Sequence, residues 1–139
     1  MEASRDRNKS LNGRDYLKSA RQKLKSAKVL LDTGNYGDSI SRSYYAFLDA
    51  ATAVLIIKDL LPKSHTGAID LFSLHFIKTD LVETKYIKWF RRIKKDREDA
   101  DYKHRKEFTK EDTEETYCEV EAFVKMIEEL FPKLLKGRD

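Results

Sequence analysis

The chain has 139 residues, 37% of them charged and 40% apolar, with a formal net charge of +4 at neutral pH. Seven Phe, seven Tyr and one Trp supply the bulk for one domain that hides about 70% of its unfolded surface, which argues against intrinsic disorder. The longest apolar run, Ala50 to Ile57, is interrupted by Thr52 and falls far short of the roughly 20 residues that cross a bilayer. The opening residues hold no hydrophobic leader, so a cytoplasmic location without membrane contact is expected. Cys118 is the only cysteine and the three histidines are scattered, which excludes an internal disulfide and a thiolate zinc cage and leaves no metal or cofactor to expect.

Only five Gly and two Pro occur, and no stretch alternates as a strand would between Gly-rich turns. The expected fold is therefore all-α. Residues 1–11 read as a flexible tail, 12–135 as a single bundle and 136–139 as a second tail. The first helix is predicted from Asn12 to Thr33, because Tyr16, Ala20, Leu24, Ala27 and Leu31 fall on one stripe. Gly34 is its stop signal. The second follows Asn35 and carries Ile40, Tyr44, Phe47, Ala51, Val54 and Leu55; it becomes apolar nearly all round, as a central helix must.

Pro62 is read as the end of that helix, and Pro62 to Gly67 as a loop. A short helix is predicted over 68–78 with Ile69, Phe72 and Phe76 on one face, then a charged helix over 81–106 with Val82, Tyr86, Trp89, Phe90 and Ile93 inward. Thr109 and Asp112 mark the N-terminus of the last helix by capping-box spacing. Its Tyr117, Val120, Val124, Ile127, Phe131 and Leu134 recur at three and four, the seam of an antiparallel bundle or of a dimer. The sum is an up-and-down antiparallel bundle of four long helices and one short one.

Charge is unevenly placed. Residues 1–30 carry nine basic and three acidic side chains and residues 81–106 ten and five, whereas residues 107–130 carry two and nine. Side-by-side packing of an acidic last helix on basic neighbours explains this simply; a positive face for a nucleic acid is the sharper explanation. Within residues 97–104, at about 100° per residue, Asp101 stands about 40° and His104 about 20° from Arg97 around the helix, while Tyr102 turns about 140° away. A guanidinium that grips phosphate beside an imidazole that exchanges protons suits phosphodiester chemistry. The same row also reads as a solvated Arg–Asp pair with a histidine at a helix C-terminus. Arg42, between Ile40 and Tyr44, is placed at the core edge, where a buried guanidinium needs a partner such as Asp101. His65 is read as a ligand-contacting or capping loop histidine, His75 as peripheral packing, and Cys118 as a helix-face residue with no base to activate it.

Four segments together resemble the HEPN domain family (higher eukaryotes and prokaryotes nucleotide-binding): Ser39-Ile40-Ser41-Arg42-Ser43-Tyr44-Tyr45-Ala46-Phe47, Lys63-Ser64-His65-Thr66-Gly67, Arg97 to Tyr102, and Phe108-Thr109. The likeness spans residues 15 to 132 and is closest to small stand-alone prokaryotic members with an Arg-x-x-x-Asp-Tyr motif. It implies a dimeric helical bundle, produced beside a minimal nucleotidyltransferase in a toxin–antitoxin pair, with nucleotide or RNA as ligand. Arg42, His65, Arg97, Asp101 and Tyr102 become the implied binding residues. Many members are metal-independent ribonucleases in which an arginine and a histidine are separated by four to six residues. Arg97 and His104 fit that spacing and would be the catalytic pair of an endoribonuclease, although Asp101-Tyr102 takes the place of the histidine in close ribonuclease relatives. In some relatives a nearby tyrosine receives a nucleotidyl group from the partner, and Tyr102 is its nearest equivalent. A structural dimeric partner without a ligand site is the third reading.

Overall fold

The computed structural model describes residues 2–102 and 107–137. Five α-helices build it: α1 (Glu2–Asp32), α2 (Tyr36–Ile57), α3 (His65–Phe72), α4 (Lys85–Asp101) and α5 (Lys110–Lys136), with one π-helical turn, Ser73–Ile77, after α3. No strand occurs among the described residues. The all-α class and the division into four long helices and one short one match the sequence expectation.

Contacts between helices fix their directions. Ser39 in α2 donates to the Ala27 carbonyl of α1 at 2.7 Å, and Ser19 donates to Asp49, so α2 runs back along α1. Arg92 in α4 pairs with Glu119 in α5, and Phe47 in α2 stacks on both Phe90 of α4 and Phe123 of α5. The Phe47 and Phe123 rings lie 3.7 Å apart, tilted by 13°. Helix α2 is the centre of the bundle: it is apolar and long enough to cross a bilayer by composition, but 72% of that window is buried among the other helices.

Local chemistry accounts for the ends. Gly34 adopts φ 82°, and the Asn35 amide donates back to the Leu30 carbonyl at 2.8 Å, the Schellman closure that a residue without Cβ permits. Thr109 and Asp112 form the full capping box: the Thr109 hydroxyl accepts from the Asp112 amide at 3.0 Å and the Asp112 carboxylate from the Thr109 amide.

Several boundaries differ from the sequence reading. Helix α1 starts at Glu2 instead of Asn12, because nothing in residues 2–11 breaks a helix and Gly13 is a packing glycine. Helix α2 stops at Ile57, well before Pro62, because Asp59 takes φ 63° and the Leu60 amide returns to the Leu55 carbonyl at 3.0 Å; aspartate tolerates this left-handed position better than most residues. Ser64 caps α3 by accepting from the Gly67 amide, which makes His65 the first helical residue and not a loop residue. Asp80, at φ 60°, turns the chain so that the Val82 amide reaches the Phe76 carbonyl at 2.9 Å; α4 therefore begins at Lys85, four residues later than expected. It ends at Asp101, with Tyr102 extended.

Gly13 gives a direct test of the packing. A Cβ there would meet the Phe131 ring at 2.4 Å and the Ala53 carbonyl at 3.3 Å, and Phe131 is itself buried. In an open helix Gly→Ala stabilises by about 1 kcal/mol, whereas overpacking costs about 1–3 kcal/mol. Gly13→Ala is expected to lower the melting temperature, and a rise in a thermal scan would show that α1 and α5 do not meet here.

Candidate functional site

The site grows from the C-terminal half of α4 crossing the N-terminal half of α2. Arg97 keeps only 18% of its side chain at the surface. Its Nη1 donates to the Asp101 carboxylate at 3.1 Å and to the Tyr45 hydroxyl at 3.3 Å. The guanidinium carbon lies 5.3 Å from the centre of the Tyr44 ring and 5.7 Å from that of Tyr45. Electron-rich ring faces and one carboxylate thus offset part of the cost of taking a cation out of water. The offset is incomplete: among the described residues the buried Nε has no partner, and neither has the hydroxyl of fully buried Tyr44. Burial pushes the Tyr44 phenol above its ordinary range despite the opposing pull of Arg97, so it stays protonated.

The two tyrosines also receive His65 from the start of α3. Its ring is 5.5 Å from Tyr44 and 5.8 Å from Tyr45. Burial, and then the positive charges of Arg97 and Lys94, hold the imidazole below its ordinary pKa, so at neutral pH it is uncharged and able both to donate and to accept. On the α1 side of the same tyrosine, Lys23 Nζ lies 5.9 Å from the Tyr45 ring centre. It pairs with Asp49 at 2.6 Å, and Ser19 donates to the same carboxylate oxygen at 2.7 Å.

The structure brings Arg97, Asp101 and His65 together through Tyr44 and Tyr45. Arg42 is elsewhere: it is exposed and lines a separate groove of about 470 Å³ with Leu30, Asp38, Ser41 and Tyr45. The expected Arg42–Asp101 pair is therefore corrected. Asp101 holds Arg97, and Arg97 is the arginine at the core edge, because that side of α4 faces the tyrosines while Arg42 points off the Tyr44 stripe. Tyr102 is 70% exposed just past the end of α4. His104 lies outside the described residues.

The charge asymmetry has a packing explanation for part of its extent. Arg21 of α1 bridges Glu121 and Glu128 of α5 at 2.6 and 2.5 Å, and Arg92 of α4 pairs with Glu119. The acidic helix thus engages one arginine from each basic neighbour, and neither Arg97 nor Arg42 is among them. Sequence reasoning missed the Lys23–Asp49–Ser19 cluster, although a carboxylate inside the most apolar helix was a signal that some partner had to reach it.

A family model described as the HEPN domain matches residues 14–130. The chain is 38% identical to a "UPF0332 protein" of Pyrococcus horikoshii over 81 residues, 58% of this chain and 57% of that one. It is 34% identical to a Methanocaldococcus jannaschii protein named "Putative toxin", over 84% of this chain and 86% of the relative. A "UPF0332 protein" of Thermotoga maritima is 31% identical over 85% and 89% of the two chains. Aligned segments therefore span just over half of the Pyrococcus protein and most of the other two. With the helical bundle and a family match running from α1 into α5, the chain belongs to the HEPN domain family.

Proposed function

We propose that this chain is a HEPN protein of the toxin type, working as a homodimer beside a minimal nucleotidyltransferase, and that it binds a nucleotide or RNA phosphate at Arg97. The observation that carries the reading is the state of that guanidinium: largely desolvated on two tyrosine rings, with a buried nitrogen that lacks a partner among the described residues. Asp101, half exposed, is a carboxylate that a phosphate can replace, because arginine binds both anions with the same fork of donors. His65 beside the tyrosines adds a donor whose charge responds to a bound anion. The toxin name of the Methanocaldococcus relative supports the class. The spacing of Arg97 and His104 supports a second reading, metal-independent RNA cleavage in which His104 exchanges the proton of a 2′-hydroxyl and Arg97 stabilises the anionic transition state.

Arg97→Ala is expected to weaken binding of a short labelled RNA at least tenfold, about 1.4 kcal/mol, in fluorescence anisotropy at low salt. Asp101→Asn, which removes the competing carboxylate, is expected to preserve or tighten binding. Equal affinities for wild type and Arg97→Ala would overturn the assignment. Incubating the same RNA with EDTA, for wild type and His104→Ala, decides the cleavage reading: it requires chelator-resistant cleavage that the substitution abolishes.

The sign of the His65 shift sets a pH dependence. A histidine whose folded-state pKa lies below its unfolded value stabilises the fold fully above about pH 6.5 and loses that contribution as pH falls. A bound phosphodiester favours the protonated ring, so affinity should rise on acidification from pH 8 to 5.5, read with a pH-insensitive dye. His65→Asn should flatten that rise, and an unchanged slope would remove His65 from the site.

A further inference from the structure

A cavity of about 240 Å³ opens next to the arginine site, lined by Tyr16, Asp49, Thr52, Pro62 and His65 among others. His65 belongs to both: its ring lies against the two tyrosines that carry Arg97, and it forms part of the cavity wall. The volume is below the roughly 300–1,000 Å³ of pockets that take drug-sized ligands, a size for one flat ring system and not for a whole nucleotide. Tyr16 and His65 offer aromatic surface, and Leu48, Leu61 and Ala68 apolar surface.

Asp49 gives the wall its chemical preference. The residue is 8% exposed, and both of its hydrogen bonds, from Lys23 and Ser19, fall on Oδ2. Among the described residues Oδ1 accepts from nothing, although a carboxylate oxygen has two acceptor sites. A buried carboxylate repels a phosphate and asks for N–H donors. Resting on the Arg97 phosphate reading, we infer that this cavity is a base pocket in which Asp49 Oδ1 accepts from the exocyclic amino group of a nucleobase. Adenine and cytosine present that group on the Watson–Crick edge; hypoxanthine and uracil present at the same point a carbonyl, whose lone pairs oppose the carboxylate. Arg97 then takes the phosphate of the same nucleotide while His65 stands between base and phosphate.

The test pairs ligands that exchange the exocyclic amino group for an oxo group, with the adjacent ring nitrogen turning from acceptor to N–H donor. Calorimetric titration of the full chain with AMP against IMP, and CMP against UMP, is expected to show the amino member of each pair binding about tenfold tighter. Asp49→Asn, whose amide both donates and accepts, is expected to erase the difference; a thermal scan shows whether this variant keeps its fold, and the wild-type ligand pairs stand without it. Equal affinities within both pairs on wild type overturn the base pocket. If those equal affinities all fall in Arg97→Ala, the arginine site survives the loss of the pocket; if Arg97→Ala changes nothing, both fail together. Discrimination that persists unchanged in folded Asp49→Asn also overturns the role of Asp49.

Discussion

A guanidinium withdrawn from water onto two consecutive tyrosine rings is the constraint around which this bundle is organised. Tyr44 is wholly buried, with Phe90 as well as Arg97 against it, so α4 cannot slide along α2 without exposing a ring or stranding a cation. Removing a charge from solvent is costly unless it is paired and hydrogen-bonded. Arg97 meets that demand only in part, through one half-exposed carboxylate, one phenol hydroxyl and two ring faces. The unmatched remainder is what the proposed anion-binding role of Arg97 rests on, beside its part in packing.

The same economy of charge separates scaffold from site. Arg21 and Arg92 are neutralised by α5 glutamates and hold helices side by side. Arg42 lies on the exposed face of α2, in a groove that shares Tyr45 with the Arg97 cluster. Lys23 approaches Tyr45 from α1 already bound to Asp49. Tyr45 thus meets basic side chains from two other helices, Arg97 and Lys23, and lines the separate groove of Arg42 on its own helix.

Features fixed by neighbours in the chain were legible from the sequence. The stop at Gly34, the Thr109–Asp112 box and the apolar stripe of α2 depend on residues within a few positions of one another. Features fixed by distant packing were not. The packing role of Gly13, inside the predicted first helix, is visible only with Phe131 against it. Phe123 falls outside the stripe read for α5 yet stacks on Phe47 at the heart of the core, because α5 presents a wider face to the bundle than a simple seam. The stop at Asp59 was hidden because few residues other than glycine announce a left-handed turn.

The site was legible in the same proportion. Arg97 and Asp101 are four residues apart on one helix, so their pairing follows from helical geometry alone. That the pair lies over Tyr44 and Tyr45, and that His65 joins it, depends on how α3 and α4 cross α2. The direct measurement of the central claim is the side-chain 15Nε–1H resonance of Arg97 in labelled protein, assigned by its disappearance in Arg97→Lys and followed during titration with a short RNA. A saturating shift of that signal, larger than those of Arg21 and Arg92, is the expected result. An Arg97 signal that stays in place while other arginine signals move would contradict it.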